Sequence, residues 1–202
     1  MKMENKMKII LASDNPDKVS EFKQILKDPP WQILTMRQAG FCGTIVEDGK
    51  TYLENAQIKA RTVHRVTGGL VLADDSGLSV DVLEGAPGLY SARFAGEKAN
   101  DQDRIEKLYE QLRPFPKERW QAGFICALAA VLPDGKEVFV VEELRGFIVP
   151  QPRGHEGFGY DPVFLVPEQN CTLAELTPEE KNRISHRGKA LTALSKQLLD
   201  LL

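Results

Sequence analysis

Three segments carry polar side chains at spacings that suit phosphate and metal chemistry. Ser13-Asp14-Asn15-Pro16-Asp17-Lys18 reads as a strand-to-helix turn, with Asn15 as N-cap and Pro16 at the first helical position. Backbone N–H groups and the helix dipole there suit a phosphate, and Lys18 adds a charge. A plain helix cap with a surface lysine accounts for the same residues, and the glycines of a Walker loop are missing. Asp74-Asp75-Ser76-Gly77 follows the apolar run Leu70-Val71-Leu72-Ala73. Adjacent carboxylates repel unless a cation or proton relieves them, and α/β folds place ligands at strand C-termini. The alternative is a turn with solvated aspartates. Glu47, Glu54, Asn55 and Lys59 form the third group. Asn55 and Lys59 are i and i+4 and share a helix face. On spacing alone, a solvated helix surface is the preferred reading of that face.

Two further segments suit recognition of a flat, polar ligand. In Gly157-Phe158-Gly159-Tyr160-Asp161-Pro162, two aromatics are bracketed by glycines. A planar ring stacked on Phe158, with Asp161 accepting from a ring N–H, would use them all. The alternative is a surface loop pinned by its aromatics. In Lys181-Asn182-Arg183-Ile184-Ser185-His186-Arg187-Gly188, Ser185 is placed to cap the last helix. His186 and Arg187 then sit at a helix N-terminus, where the dipole disfavours cations, and that local conflict points to a task. His64 and His155 lack such a context and read as surface residues.

The elements that must position these groups follow from periodicity. Lys8–Ser13 and residues 31–35 read as strands. They flank a helix with Val19, Phe22 and Leu26 on one face, which Pro29-Pro30 ends. After a glycine-containing loop over 40–50, a helix from Thr51 to Val66 carries Leu53, Ala56, Ala60 and Val63, with Gly68-Gly69 stopping it. Leu70–Ala73 reads as a short strand ending at Asp74, and Leu78–Leu83 as a weaker one. A helix over Asp101–Leu112 precedes two β-rich runs, Phe124–Leu132 and Glu137–Val149, joined by a Pro133-Asp134-Gly135 hairpin signal. Val163–Val166 is a last strand, and a helix from Ser185 to Leu201 carries Leu191, Leu194 and Leu198. The order βαβαβ, hairpin, strand, helix predicts a mixed α/β sheet, with residues 1–202 as a single domain.

Composition bounds the function classes. The chain has 202 residues, 26 Lys and Arg, 29 Asp and Glu and a formal net charge of −3; it is 42% hydrophobic and 27% charged. That excludes wholesale disorder, and it argues against a nucleic-acid coat, which would be strongly basic. Cys42, Cys126 and Cys171 are odd in number and far apart, so neither a disulfide framework nor a zinc site is expected. No apolar run approaches the ~18 residues of a membrane span, and the N-terminus lacks the long apolar stretch of a secretory signal. A cytoplasmic protein with no membrane partner is the expectation.

Taken together and in this order, the five segments resemble the inosine/xanthosine triphosphate pyrophosphatases, which clear deaminated purines from nucleotide pools. The matching stretches are Ser13–Lys18, the GxTYxENAxxKA pattern over 49–60, ADDSG over 73–77, GAPGLYSAR over 85–93, GFGYDPVF over 157–164 and AELTPEEKNRISHRGKAL over 174–191. One departure is Asp14, where the family usually has Gly; its carboxylate would either weaken triphosphate binding or point outward.

The resemblance implies an elongated central mixed sheet flanked by helices, two lobes with a substrate cleft between them, and a homodimer. It implies Mg²⁺-dependent hydrolysis of ITP, dITP and XTP to the monophosphate and pyrophosphate. Glu47 and Asp75, helped by Asp74, would hold the metal, and Asp75 would accept the proton. How the two aspartates divide these roles stays open. Lys18, Lys59 and Lys181 would bind the triphosphate, and Ser13, Asn15 and Ser76 would add neutral hydrogen bonds. Phe158, Gly159, Tyr160, Asp161, His186 and Arg187 would receive the base, with His186 and Arg187 as donors to the 6-oxo group. Two rival readings are a nucleotide-binding regulator without turnover and a house-cleaning pyrophosphatase of another base preference. The Maf-type enzymes are of the latter kind and start Ser-x-Ser-Pro-Arg-Arg.

Overall fold

Burial of both faces of the central strands decides the architecture. The computed structural model describes residues 7–27 and 31–201. The sheet has seven strands: β1 (Met7–Leu11), β2 (Trp31–Thr35), β3 (Leu70–Val80), β4 (Gln121–Val131), β5 (Glu137–Ile148), β6 (Phe164–Val166) and β7 (Cys171–Thr172). Their order across the sheet is β2-β1-β3-β4-β5-β6-β7. β1 runs parallel to β2 and β3, while β6 is antiparallel to β5 and β7, so the sheet is mixed. The helices are α1 (Pro16–Ile25), α2 (Tyr52–Thr67), α3 (Asp101–Leu112), α4 (Pro178–Ile184) and α5 (His186–Leu201).

The chain divides into two compact units. The first comprises the residues up to Asp75, Cys126–Glu142 and Arg187 onward; the second comprises Ser76–Ile125 and Glu143–His186. In the first, Ile9, Leu11, Leu70 and Leu72 share a cluster with Phe22 of α1 and Leu191 and Leu194 of α5. Ile10, Val71 and Ala73 instead meet Ala56, Ala60 and Val63 of α2. Successive strand residues point to opposite faces, so one strand feeds both clusters. In the second unit, Leu78, Val80, Phe124 and Phe164 pack with Ile105, Leu108 and Leu112 of α3.

Most predicted elements are present. Asn15 caps α1, its side chain accepting from the N–H groups of Asp17 and Lys18. Thr51 and Glu54 form a reciprocal capping box on α2, and Gly68 ends it at φ +62°. The β4–β5 turn closes through Leu132 and Lys136, with Gly135 at φ +85°. α1 ends at Ile25, and Pro29-Pro30, expected to end it, lies outside the described residues.

Two expectations about β3 need correction, and two short elements add to those expected. β3 does not stop at Asp74; it runs unbroken to Val80, and residues 81–83 form a 3-10 turn rather than strand. Only its partner β1 stops: the last parallel link is Ala12 N–H to Leu72 O at 2.8 Å, so Asp74 and Asp75 lie just past the end of β1. α4 is too short for periodicity to announce, although Thr177-Pro178-Glu179-Glu180 is a capping box with proline at the first helical position. The two-residue strand β7 is likewise too short for periodicity to register.

Leu72 is 1% exposed within the alternating β3 core, so Leu72→Ala should lower stability by about 2–5 kcal/mol. Urea denaturation followed by circular dichroism checks this, with a shifted midpoint and an unchanged slope expected.

Candidate active site

Because β3 continues through Asp74 and Asp75, the two carboxylates leave the strand on opposite faces. Asp75 follows the parity of Val71 and Ala73 and faces α2; Asp74 follows Leu70 and Leu72 and faces α1 and α5. The pairing partners confirm the split.

On the α2 face, Lys59 Nζ lies 2.8 Å from Glu47 Oε2 and 3.0 Å from Asp75 Oδ1. Asn55 Nδ2 donates to Asp75 Oδ2 at 3.2 Å, and its own Oδ1 accepts from Gly49 N–H at 2.9 Å, which fixes the amide's orientation. A Cβ on Gly49 would meet that oxygen at 2.6 Å, so glycine is needed there. Burial raises the pKa of Asp75, and Lys59, Lys18 and Asn55 only partly offset it. Burial would lower the pKa of Lys59, but Asp75, Asp74 and Glu47 outweigh it and hold the ammonium charged. Asn55 and Lys59 are buried, not part of the solvated surface that their spacing suggested. Both acids of that group, Glu47 and Glu54, are exposed, and Glu54 caps the helix.

On the other face, Asp74 is fully enclosed among cations. Lys18 Nζ lies 3.1 Å from its Oδ1, and Arg187 Nη2 lies 3.3 Å from its Oδ2. Arg187 also pairs with Glu21 of α1. Burial alone would raise the pKa of Asp74, but Lys18, Arg187 and Lys59 outweigh it and hold the carboxyl well below the usual range. Cys126, buried in the same surroundings, has its thiol pushed up to about 12, first by burial and then by the charge of Asp74. The helix N-terminal conflict at Arg187 is thus resolved by two carboxylates. Glu21 was not among the sequence candidates; its position one turn after Lys18 on α1 was the available signal.

The Ser13–Lys18 turn is closed internally: Ser13 Oγ accepts from Asn15 N–H at 3.2 Å, and Asn15 Oδ1 takes the next two amides at 2.9 and 3.1 Å. Asp14 pairs with Arg37 Nη2 at 2.9 Å, and Arg37 Nη1 donates to the carbonyls of Phe41 and Gly43. Its extra charge is therefore matched by a cation, in a half-exposed pair worth little to stability.

In the second unit, the Gly157–Asp161 loop forms a platform. Phe158 N–H donates to Asp161 Oδ2 at 2.9 Å, and Lys181 Nζ of α4 reaches the same oxygen at 2.6 Å. That ammonium also sits 4.9 Å from the centre of the Phe158 ring, a cation–π contact. Lys181 is thus joined to the aromatic loop. Tyr160 is buried, its hydroxyl donating to Ser91 O at 3.0 Å. His186 stacks on Phe124, with ring centres 4.8 Å apart and an interplanar angle of 6°. Ser76, half-buried in β3, belongs to this unit. His155 is exposed, while Nδ1 of the half-buried His64 lies 3.0 Å from Gly69 O. All three cysteines are free thiols.

A sequence model of the Ham1 family matches residues 9–197. The chain is 49% identical over 190 residues to the dITP/XTP pyrophosphatase of Bacillus subtilis, covering 94% of this chain and 96% of that protein. It is 46% identical to the dITP/XTP pyrophosphatase of Clostridium perfringens, covering 96% and 98%. Among solved structures, a HAM1 protein from Coxiella burnetii superposes with a TM-score of 0.87 at 41% identity, covering 96% of this chain and 99% of that one.

Arg187 is 3% exposed and serves both Asp74 and Glu21. Arg187→Met leaves Glu21 without this partner and Asp74 with fewer cations. The variant should lose about 3 kcal/mol of stability. Adding Glu21→Gln should return part of that loss, and a double-mutant cycle by urea denaturation measures the coupling.

Proposed function

The chain belongs to the Ham1 family, and on that premise we propose that it hydrolyses the deaminated purine triphosphates ITP, dITP and XTP to the monophosphate and pyrophosphate. The bonds broken are phosphoanhydrides. The observation that carries this reading is the Lys59 ammonium held between Glu47 and Asp75, with Lys18 secured by Asp74. Such fixed cations beside a basic carboxylate suit the neutralisation of a triphosphate during attack by water.

Mg²⁺ fits the donor set. Glu47 and Asp75 offer hard oxygens that converge on one cation, the Lys59 ammonium, at 2.8 and 3.0 Å, and hard oxygens are what Mg²⁺ takes. No cluster of three or more His, Cys, Asp or Glu gathers among the described residues. Mg²⁺ needs none, being commonly held by one or two carboxylates plus substrate phosphates. Bound there, Mg²⁺ would neutralise phosphate oxygens and ease the departure of pyrophosphate. Asp74, turned to Lys18 and Arg187, is assigned instead to organising those cations.

The remaining steps belong to the chain's own residues. Asp75, made more basic by burial, orients water and takes its proton as the oxygen attacks the α-phosphorus. Asn55 and Lys59 hold that carboxylate in place. Lys18 and Lys59 carry the charge of the triphosphate, with Ser13, Asn15 and Ser76 as neutral partners. The base lies on Phe158, and His186 donates to its 6-oxo group. Adenine has a 6-amino group there, and the facing donor would lose its partner at about 1–3 kcal/mol. Arg187 is committed to Asp74 and Glu21 and is therefore assigned to that charge cluster rather than to the base. We assign the active form as a cytoplasmic homodimer; exposed Phe139 and Val141, two residues apart on β5, support self-association. No helix among the described residues is long and apolar enough to cross a membrane.

Pyrophosphate release from ITP, XTP, GTP and ATP tests the proposal, with the first two expected to dominate. Turnover of none would leave a binding regulator. Asp75→Asn should keep the far-ultraviolet circular dichroism and lose about 100-fold or more in kcat; wild-type turnover would remove Asp75 from the reaction. Excess EDTA should abolish activity and added Mg²⁺ restore it, while full activity in chelator would exclude the metal.

A further inference from the structure

Resting on the reading of Phe158 as the base platform, we infer that Asp101, braced by Arg104, is a positioning residue that holds the platform through the Gly159 amide. Asp101 is the first residue of α3, and Asn100 caps that helix. An acid in a first turn is explained by the helix dipole alone. The dipole does not explain why Asp101 Oδ2 accepts from Gly159 N–H at 2.6 Å, 58 residues along the chain. Its other oxygen takes Arg104 Nη2 at 2.6 Å. Arg104 Nη1 donates to Ala99 O at 2.6 Å and to Ala92 O at 3.2 Å.

These contacts close into a circuit. Tyr160, next to Gly159, donates its hydroxyl to Ser91 O at 3.0 Å, and Ser91 adjoins Ala92. Ser91 is itself fixed: its Oγ accepts from Leu78 N–H at 2.9 Å and donates to Gly88 O at 2.6 Å. The GAPGLYSAR segment, for which the reaction has no direct use, thus becomes the anchor of the aromatic loop. Gly157 and Gly159 have φ of +75° and +65°, conformations that bulkier residues rarely adopt. Between them, the amides of Phe158 and Gly159 each meet a carboxylate, Asp161 at 2.9 Å and Asp101 at 2.6 Å. A short loop held at two successive amides has its intervening aromatic side chain fixed in direction. Lys181, 4.9 Å over the ring, adds a third restraint. An ordered platform binds a base without the entropic cost of ordering a mobile one.

The test uses the full chain with ITP as substrate, and Asp103→Ala is the control. Asp103 Oδ2 accepts from Asn100 N–H at 2.8 Å, so it caps the same helix without touching the loop. Asp101→Ala should raise KM about threefold to tenfold, the worth of one hydrogen bond, with kcat within about twofold. Asp101→Asn keeps an acceptor oxygen and should return most of the loss. Asp103→Ala should lower Tm and leave KM at the wild-type value. Hydrogen exchange over Gly157–Tyr160 should quicken in Asp101→Ala and not in Asp103→Ala. Wild-type KM and exchange in Asp101→Ala, with a raised KM in Phe158→Ala, would overturn the clamp while sparing the platform. An unchanged KM in Phe158→Ala would instead overturn the platform, and the exchange rates then decide the clamp independently. Equal KM increases in Asp101→Ala and Asp103→Ala would reduce Asp101 to a helix cap and overturn the inference.

Discussion

Two consecutive aspartates in an unbroken strand point to opposite faces of the sheet, and the rest of the first unit is arranged around that constraint. Side by side in a turn they would repel, each raising the proton affinity of the other. In β3 each meets cations of its own: Asp74 is enclosed by Lys18 and Arg187, and Asp75 is held by Lys59 and Asn55. The same alternation sorts the apolar residues, so α1 and α5 pack where Asp74 points and α2 packs where Asp75 points.

The two carboxylates consequently differ in character. Asp74 stays ionised because the charges around it outweigh burial, and its task is to hold cations in position. Asp75 is less completely compensated, and burial raises its proton affinity. One is a fixed anion and the other a base, although they are neighbours in sequence with identical side chains. The difference lies in which helices face them. Charges set in place before an anionic substrate arrives need little rearrangement during the reaction, and that economy favours the transition state.

The second unit applies the same device to an aromatic ring. Glycines at 157 and 159 let the loop turn sharply, and carboxylates at 161 and 101 take the amides that the turn exposes. Phe158 is then directed by backbone hydrogen bonds and a cation rather than by core packing. His186, stacked on Phe124, is oriented from the core side of that unit.

Much of this was legible in the residues. The cap at Asn15, the apolar stripe of α2, the glycine stop after it and the β4–β5 turn follow from local rules that do not depend on distant contacts. The family resemblance pointed to Glu47, Lys59, Asp75 and the aromatic loop. The placement of the strand end was not legible. A run of Asp, Asp, Ser and Gly has the composition of a turn, and only pairing with neighbouring strands keeps it extended. A strand that ends at Asp74 gives alternation no means of separating Asp74 from Asp75. The burial of Asn55 and Lys59 was equally hidden, because a charged helical face is buried only when an opposite charge arrives from another element. Arg187 meeting Glu21, and Asp101 meeting Gly159, join residues 166 and 58 positions apart. Local sequence determined which helices and turns could form and which chemical groups were available. Tertiary structure decided which charge each group faces, because Coulombic and hydrogen-bond partners are set by distance in space.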